Sequence, residues 1–185
     1  TVGRLMPRKG LAEFIGNSLP LLVANDQEWL LLIAGSEPAN ALNRPKESVL
    51  DRIHDAVATH KLQEQVRLLG HVDDELLASL YAAADVLVFP LIESPGDVEG
   101  FGMVAIEAAA HGTPTVAFDC GGVGDAVVDG TNGALVASGD YGRFAEAVRK
   151  VAKSDLRQSS FEFAQKFSWL HYNRQIEDCL NDAAT

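Results

Sequence analysis

Cysteine is almost missing from this chain of 185 residues: only Cys120 and Cys179 occur, far apart and without metal-ligand spacing. A disulfide framework and a cysteine-bound zinc are therefore not expected, and a reducing compartment is the default. The five histidines, His54, His60, His71, His111 and His171, show no ligand spacing either, so no metal site is expected. No apolar run reaches the roughly 18 residues of a membrane span, and no signal or transit pattern opens the chain. Basic residues are scarce: 15 Lys and Arg stand against 26 Asp and Glu, a formal charge of −11. Such a field repels nucleic acid and anionic membranes at long range, so an extended surface for either is excluded. Any anionic ligand must be held by a local cationic patch. A cytoplasmic location is expected, with peripheral membrane contact left open for the full-length protein. Repeats and low-complexity segments are lacking. No Gly-x-Gly-x-x-Gly follows the first strand and no acid ends the second, which sets a dinucleotide oxidoreductase aside.

What is present is an alternation. Apolar runs at Leu30–Ala34, Val66–Leu69, Val86–Phe89, Thr115–Phe118 and Gly133–Val136 are short and continuous, the habit of strands covered on both faces. Thr1-Val2-Gly3-Arg4 reads as the end of a further buried strand, so the chain is expected to be one half of something larger. Between the runs lie segments of helical period: Leu11 to Ala24, broken near Ser18-Leu19-Pro20; Lys46 to His60; and Asp74 to Ala84, capped by Asp73. Leu76, Leu77, Leu80 and Tyr81 are expected on one face of that last helix. Phe101 to His111, stopped by Gly112, then Arg143 to Lys153 and Leu170 to Ala183 complete the set. The loosest stretches are 37–45, 92–100 and Ser154–Ser160. Strand–helix alternation predicts an α/β fold: a doubly wound, mainly parallel six-stranded sheet, Rossmann-like, with helices on both faces. Ligands of such sheets bind beyond the carboxyl ends of the strands, so the loops there carry the chemistry.

Three loops qualify. Gly3-Arg4-Leu5-Met6-Pro7-Arg8-Lys9-Gly10 gathers three cations at a strand-to-helix turn, where Arg4 can fork onto a phosphate and Lys9 adds a point charge. A solvated loop balancing nearby acids would look the same. Glu93 to Gly102 runs into the Ala-rich helix, and its Gly100 and Gly102 permit close backbone approach while the amides of the helix start point outward. Glu99 and Glu107 are separated by seven residues, roughly 10 Å at about 1.5 Å rise per residue. That is long for two acids on one glycosidic bond, yet it suits two carboxylates that grip different hydroxyl pairs of one extended ligand. A partly exposed or ion-paired structural Glu107 is the plainer alternative. The third loop, Asp119 to Asp125, supplies Gly121-Gly122, equally readable as an ordinary turn.

Taken in order, Gly3-Arg4 with Lys9-Gly10, Gly70-His71-Val72, Glu99-Gly100-Phe101-Gly102 with Glu107, Gly121-Gly122 and Gly130-Thr131-Asn132-Gly133 resemble retaining glycosyltransferases of the GT-B fold, family 4. The resemblance covers that family's carboxyl-terminal, donor-binding domain, and implies that residues 1–185 form one nucleotide-sugar donor-binding domain. It implies that the terminal helix, about 170–183, packs toward the amino-terminal half. It further implies that Arg4 and Lys9 neutralise the donor diphosphate in place of a metal, and that Glu99 binds hydroxyls of the transferred sugar, these three being the catalytic set. Glu107 would bind the ribose. Gly100, Phe101, Gly102, Met103 and Val104 would meet phosphate and sugar through their main chain, and Val72 would lie by the base. No cofactor is implied beyond the nucleoside diphosphate sugar as substrate. The sugar or lipid-linked acceptor would bind through the amino-terminal half, without which the domain would transfer little or nothing. Asp125 stands where the family often has glutamate. A GT-B nucleotide-sugar epimerase and a non-catalytic glycosyltransferase-like binding module stay open as other readings.

Overall fold

The computed structural model describes residues 1–24, 28–38, 48–94 and 96–183. Lys46 and most of the 37–45 stretch lie outside the described residues. A short 3-10 turn at Pro7–Lys9 leads into helix α1 (Leu11–Asn17) and helix α2 (Leu19–Val23), the break falling at Ser18 with Pro20 in the first turn of α2. Then come β1 (Leu31–Ala34), α3 (Val49–His60), β2 (Val66–Gly70), α4 (Asp74–Ala83), β3 (Leu87–Phe89) and α5 (Met103–Ala110). After β4 (Thr115–Asp119), a 3-10 turn at Gly121–Asp125 and β5 (Gly133–Ala137), helices α6 (Tyr141–Ala152), α7 (Arg157–Gln165) and α8 (Trp169–Ala183) end the fold. Caps explain several boundaries. Asp73 Oδ1 accepts the Leu76 amide at 2.8 Å to open α4, and Asp140 Oδ1 accepts that of Arg143 at 2.9 Å, which starts α6 two residues before the expected Arg143.

All strand pairs are parallel: β1 with β2, and β3 with β4 with β5. The sixth strand position is held by Thr1–Gly3, which joins β1 through a single bridge, Val2 to Ala34, flanked by bonds from Gly3 N to Ala34 O and from Ala34 N to Thr1 O. The expected single six-stranded sheet is corrected: among the described residues the ladders form a two-stranded sheet, β1 with β2, extended by the Thr1–Gly3 bridge, and a three-stranded sheet, β3 with β4 with β5. The period of two decides which side chain serves which face. Val116 and Phe118 join the core shared with α1, α2, α3 and α6, whereas Ala117 between them joins the core under α5 and α7. Val136 and Leu135 divide the same way. Helices therefore cover both faces, and in the larger core Phe144 meets Phe14 edge-on at 5.5 Å and Phe118 in a tilted arrangement at 4.7 Å between centroids.

Three further expectations need correction. β2 is not covered on both faces; it pairs with β1 alone among the described residues, and Leu68 and Leu69 are each 37% exposed. The apolar face of α4 is narrower than its sequence suggests, because Tyr81 is buried and Leu77 half-buried while Leu76 points to solvent. Helix α7 begins inside the stretch Ser154–Ser160 that was expected to be loose; it is held by Ser160, Phe163 and Ala164 turned inward, with α5 as its main neighbour.

Candidate functional site

At the carboxyl ends of the strands the three loops meet. The first docks on the second through the Ile92 amide, which donates to Arg8 O at 2.9 Å. The second docks on the third through the Gly122 amide, which donates to Glu99 O at 3.0 Å. Gly122 is obligatory here: a Cβ on it would stand 1.9 Å from Gly100 O. The glycine pair of the third loop is thus a seat for the backbone that presents Glu99, more than the ordinary turn it resembles in sequence.

The side chains converge at the same place. Lys9 Nζ donates to Glu99 Oε2 at 2.7 Å and lies 4.6 Å from the centroid of the Phe89 ring. Arg8, which carried no assignment from sequence, is buried. Its Nε donates to Asp97 Oδ1 at 2.8 Å and its Nη1 to Glu99 Oε2. Arg4 is exposed and makes no ion pair among the described residues, but it lies close enough to Lys9 to disfavour that ammonium. Burial would push the Glu99 carboxyl up, yet the hydrogen bonds from Lys9 and Arg8 outweigh it and leave Glu99 below the usual carboxylate range. Lys9 is pulled below the usual lysine range by its burial first, and by Arg8 and Arg4 in addition, against the support of Glu99. Glu99 therefore serves two cations, of which Arg8 has a second carboxylate in Asp97 and Lys9 has Glu99 alone. A cavity of about 350 Å³ opens beside this cluster, lined by Arg8, Glu93, Asp97, Glu99, Cys120 and Gly121 among others. That volume is within the range of small-molecule sites.

The remaining expected residues sit around the cluster. Gly100 is exposed and Phe101 half-buried; Gly102 is buried at the start of α5. Met103 and Val104 form the first turn of α5, whose amides lack intrahelical acceptors. Glu107 is exposed and lies one turn further on; its Oε2 accepts from the Tyr81 hydroxyl at 2.9 Å, not from any of the three cations. It is thus an exposed acid, as one of the two plainer alternatives had it, and makes no ion pair among the described residues. Val72 is half-buried in the turn between β2 and the Asp73 cap. The structure thus brings Lys9 and Glu99 into direct contact with Arg4 beside them. Val72 and Glu107 make no contact with that ion cluster. Arg8 and Tyr81 were missed: three cations in a row do not reveal which one turns inward, and Tyr81 reads as one more apolar position of α4. A larger cavity, about 650 Å³, lies at the opposite ends of β1 and β3 around Trp29, Leu30 and Val86, and holds no residue of the three loops. Groups of three or more side chains able to hold a metal are absent among the described residues, and no described helix is long and apolar enough to cross a membrane.

Parallel sheets with helices on both faces, whose carboxyl-end loops bring the buried Arg8 and the half-buried Lys9 onto one acid, define an α/β fold of the Rossmann-like kind found in GT-B glycosyltransferases. The family described as "Glycosyl transferases group 1" matches residues 1–168, and the chain belongs to it. It is 33% identical, over 98% of its own length and 40% of the relative's, to the D-inositol 3-phosphate glycosyltransferase of Corynebacterium kroppenstedtii. It is also 33% identical to the glycogen synthase of Mycobacterium tuberculosis, over 91% of this chain and 38% of that one. Among solved structures, Anabaena HepE in complex with UDP superposes with a TM-score of 0.76 at 24% identity, covering 98% of this chain and 47% of HepE. Sucrose-phosphate synthase from Thermosynechococcus elongatus gives 0.73 at 29% identity, covering 100% of this chain and 46% of the synthase. The chain spans about two fifths of the length of the curated relatives it matches.

Proposed function

We propose that this domain binds the nucleoside diphosphate sugar donor of a retaining, metal-independent hexosyltransferase of family 4, and transfers the sugar only together with an amino-terminal half that carries the acceptor. The observation that carries this reading is the 2.7 Å bond between Lys9 and Glu99, 90 residues apart in sequence. It joins the group suited to a pyrophosphate with the group suited to sugar hydroxyls in one crevice.

In this reading the two charges neutralise each other until donor arrives. Lys9 then leaves Glu99 for the diphosphate, joined by the exposed Arg4, while Arg8 stays on Glu99 and keeps it ionised. As the glycosidic bond breaks, negative charge grows on the leaving phosphate, and two preplaced cations stabilise it without a metal. Glu99, freed on one side, accepts hydrogen bonds from the sugar as positive charge develops on its ring. Glu107 holds the ribose, the main chain from Gly100 to Val104 meets phosphate and sugar, and Val72 borders the base. The exposed apolar residues Trp169, Ile176 and Leu180 of α8 fit a helix that docks on the amino-terminal half. UDP is the natural probe, since HepE was solved with it.

Calorimetric titration of the 185-residue chain with UDP tests the reading. Lys9→Ala should weaken binding roughly 10- to 100-fold, the loss of about 1.5–3 kcal/mol expected for a hydrogen bond to a charged group. Equal affinity in the variant would remove Lys9 from the phosphate.

A further inference from the structure

The contact between Tyr81 and Glu107 joins two helices and serves neither core nor ion pairing. Glu107 lies on the exposed stripe of α5 formed by Met103, Glu107 and Ala110. A surface glutamate there would ordinarily sample many rotamers. This one is fixed by a phenol that is itself immobile. Tyr81 is 4% exposed, packed with Leu87 and Ala108. Its carbonyl accepts from Thr113 Oγ1, and its ring stacks on His111 at 5.5 Å and 27°. His111 Nδ1 in turn lies 2.9 Å from Glu107 O. The hydroxyl is the single polar atom of that side chain, and it donates outward to Oε2 at 2.9 Å.

We propose that Tyr81 is a positioning residue for the nucleotide ribose, acting through Glu107. This rests on the reading of Glu107 as the ribose acid. A carboxylate offers about four lone-pair directions. One donated bond from Tyr81 uses a single direction on Oε2, leaving Oε1 and the rest of Oε2 for two vicinal hydroxyls. The phenol thus orders the acid before ligand arrives, so less rotamer freedom is lost on binding. It also keeps donating at every pH of use, because burial, and then the charge and bond of Glu107, push its ionisation well above the ordinary tyrosine value. Removing only the hydroxyl keeps the ring in the core and releases the carboxylate.

The test compares UDP with 2′,3′-dideoxy-UDP, which offers Glu107 no ribose hydroxyl, by calorimetry on the chain and on Tyr81→Phe. The unaltered chain should prefer UDP. In Tyr81→Phe the UDP affinity should fall about 3- to 10-fold while the 2′,3′-dideoxy-UDP affinity moves less than about twofold, so the preference shrinks. In a Glu107→Gln background, Tyr81→Phe should add almost nothing. Equal loss for both nucleotides, with or without a drop in melting temperature, would make Tyr81 a general structural residue and overturn the proposal; so would an unchanged preference. Failure of the unaltered chain to bind either nucleotide would instead sink the donor-site reading itself.

Discussion

At the scale of single residues, Arg8 is answered by two carboxylates, Asp97 and Glu99, whereas Lys9 is answered by Glu99 alone. Burial and the two arginines oppose the charge of Lys9. A bound diphosphate adds negative charge beside it and raises its pKa again. UDP affinity should therefore decline as pH rises through the free-state value of Lys9, starting below the ordinary lysine value of about 10.4, and binding in that window should take up a proton. Lys9→Arg keeps its charge throughout and should flatten the profile. Calorimetry in buffers of different ionisation enthalpy reads both effects, and equal slopes for lysine and arginine would contradict them. Glu99 carries the opposite sign. Its depressed pKa contributes stability that is present above the usual carboxylate value, about 4.3, and is lost as pH falls through its lower folded value.

At the scale of elements, the site is a matter of how three loops touch. Gly122→Ala would drive a Cβ to within 1.9 Å of Gly100 O, backbone that cannot retreat without moving Glu99. A cost of about 1–3 kcal/mol is expected, as for other overpacked positions. UDP affinity should drop with it. The same substitution at Gly142, exposed in the first turns of α6 with its nearest contact at an ordinary 3.7 Å, should stabilise by about 0.5–1 kcal/mol. Chemical denaturation of both variants measures the contrast; a Gly122→Ala chain as stable as its parent would mean the loops do not seat as described. The strands, the Asp73 cap and the break at Ser18 were legible because they depend on residues within a few positions; the Asp140 cap, which starts α6 early, was not read. Helix α7 was not legible either, since Ser159, Ser160, Phe161 and Phe163 are middling helix formers and its inward residues gain stability from packing on α5. For the same reason Lys9, Glu99 and Glu107 could be singled out by their motifs. The burial of Arg8 and the grip of Tyr81 on Glu107 depend on partners 91 and 26 residues away.

At the scale of the whole molecule, the chain carries a net charge of −11 around the crevice proposed to take the diphosphate. In that proposal the long-range field repels UDP, and the local arrangement of Arg4, Arg8 and Lys9 must reverse it. These two contributions respond differently to salt. The outer field is screened as the Debye length shrinks from about 30 Å at 0.01 M to about 8 Å at 0.15 M, whereas contacts with the partly buried Lys9 are screened much less. Raising salt over that range should therefore leave the association rate of UDP unchanged or increase it, and affinity should vary by no more than a few-fold. Arg4 is the exposed member of the group, so Arg4→Gln should slow association most at low salt, where its attraction reaches furthest against the surrounding acids. Stopped-flow measurements on the chain and on Arg4→Gln decide the matter. A tenfold or greater loss of affinity between these salt concentrations would show that UDP is drawn to an open basic surface, and not to a buried clamp inside a repelling field.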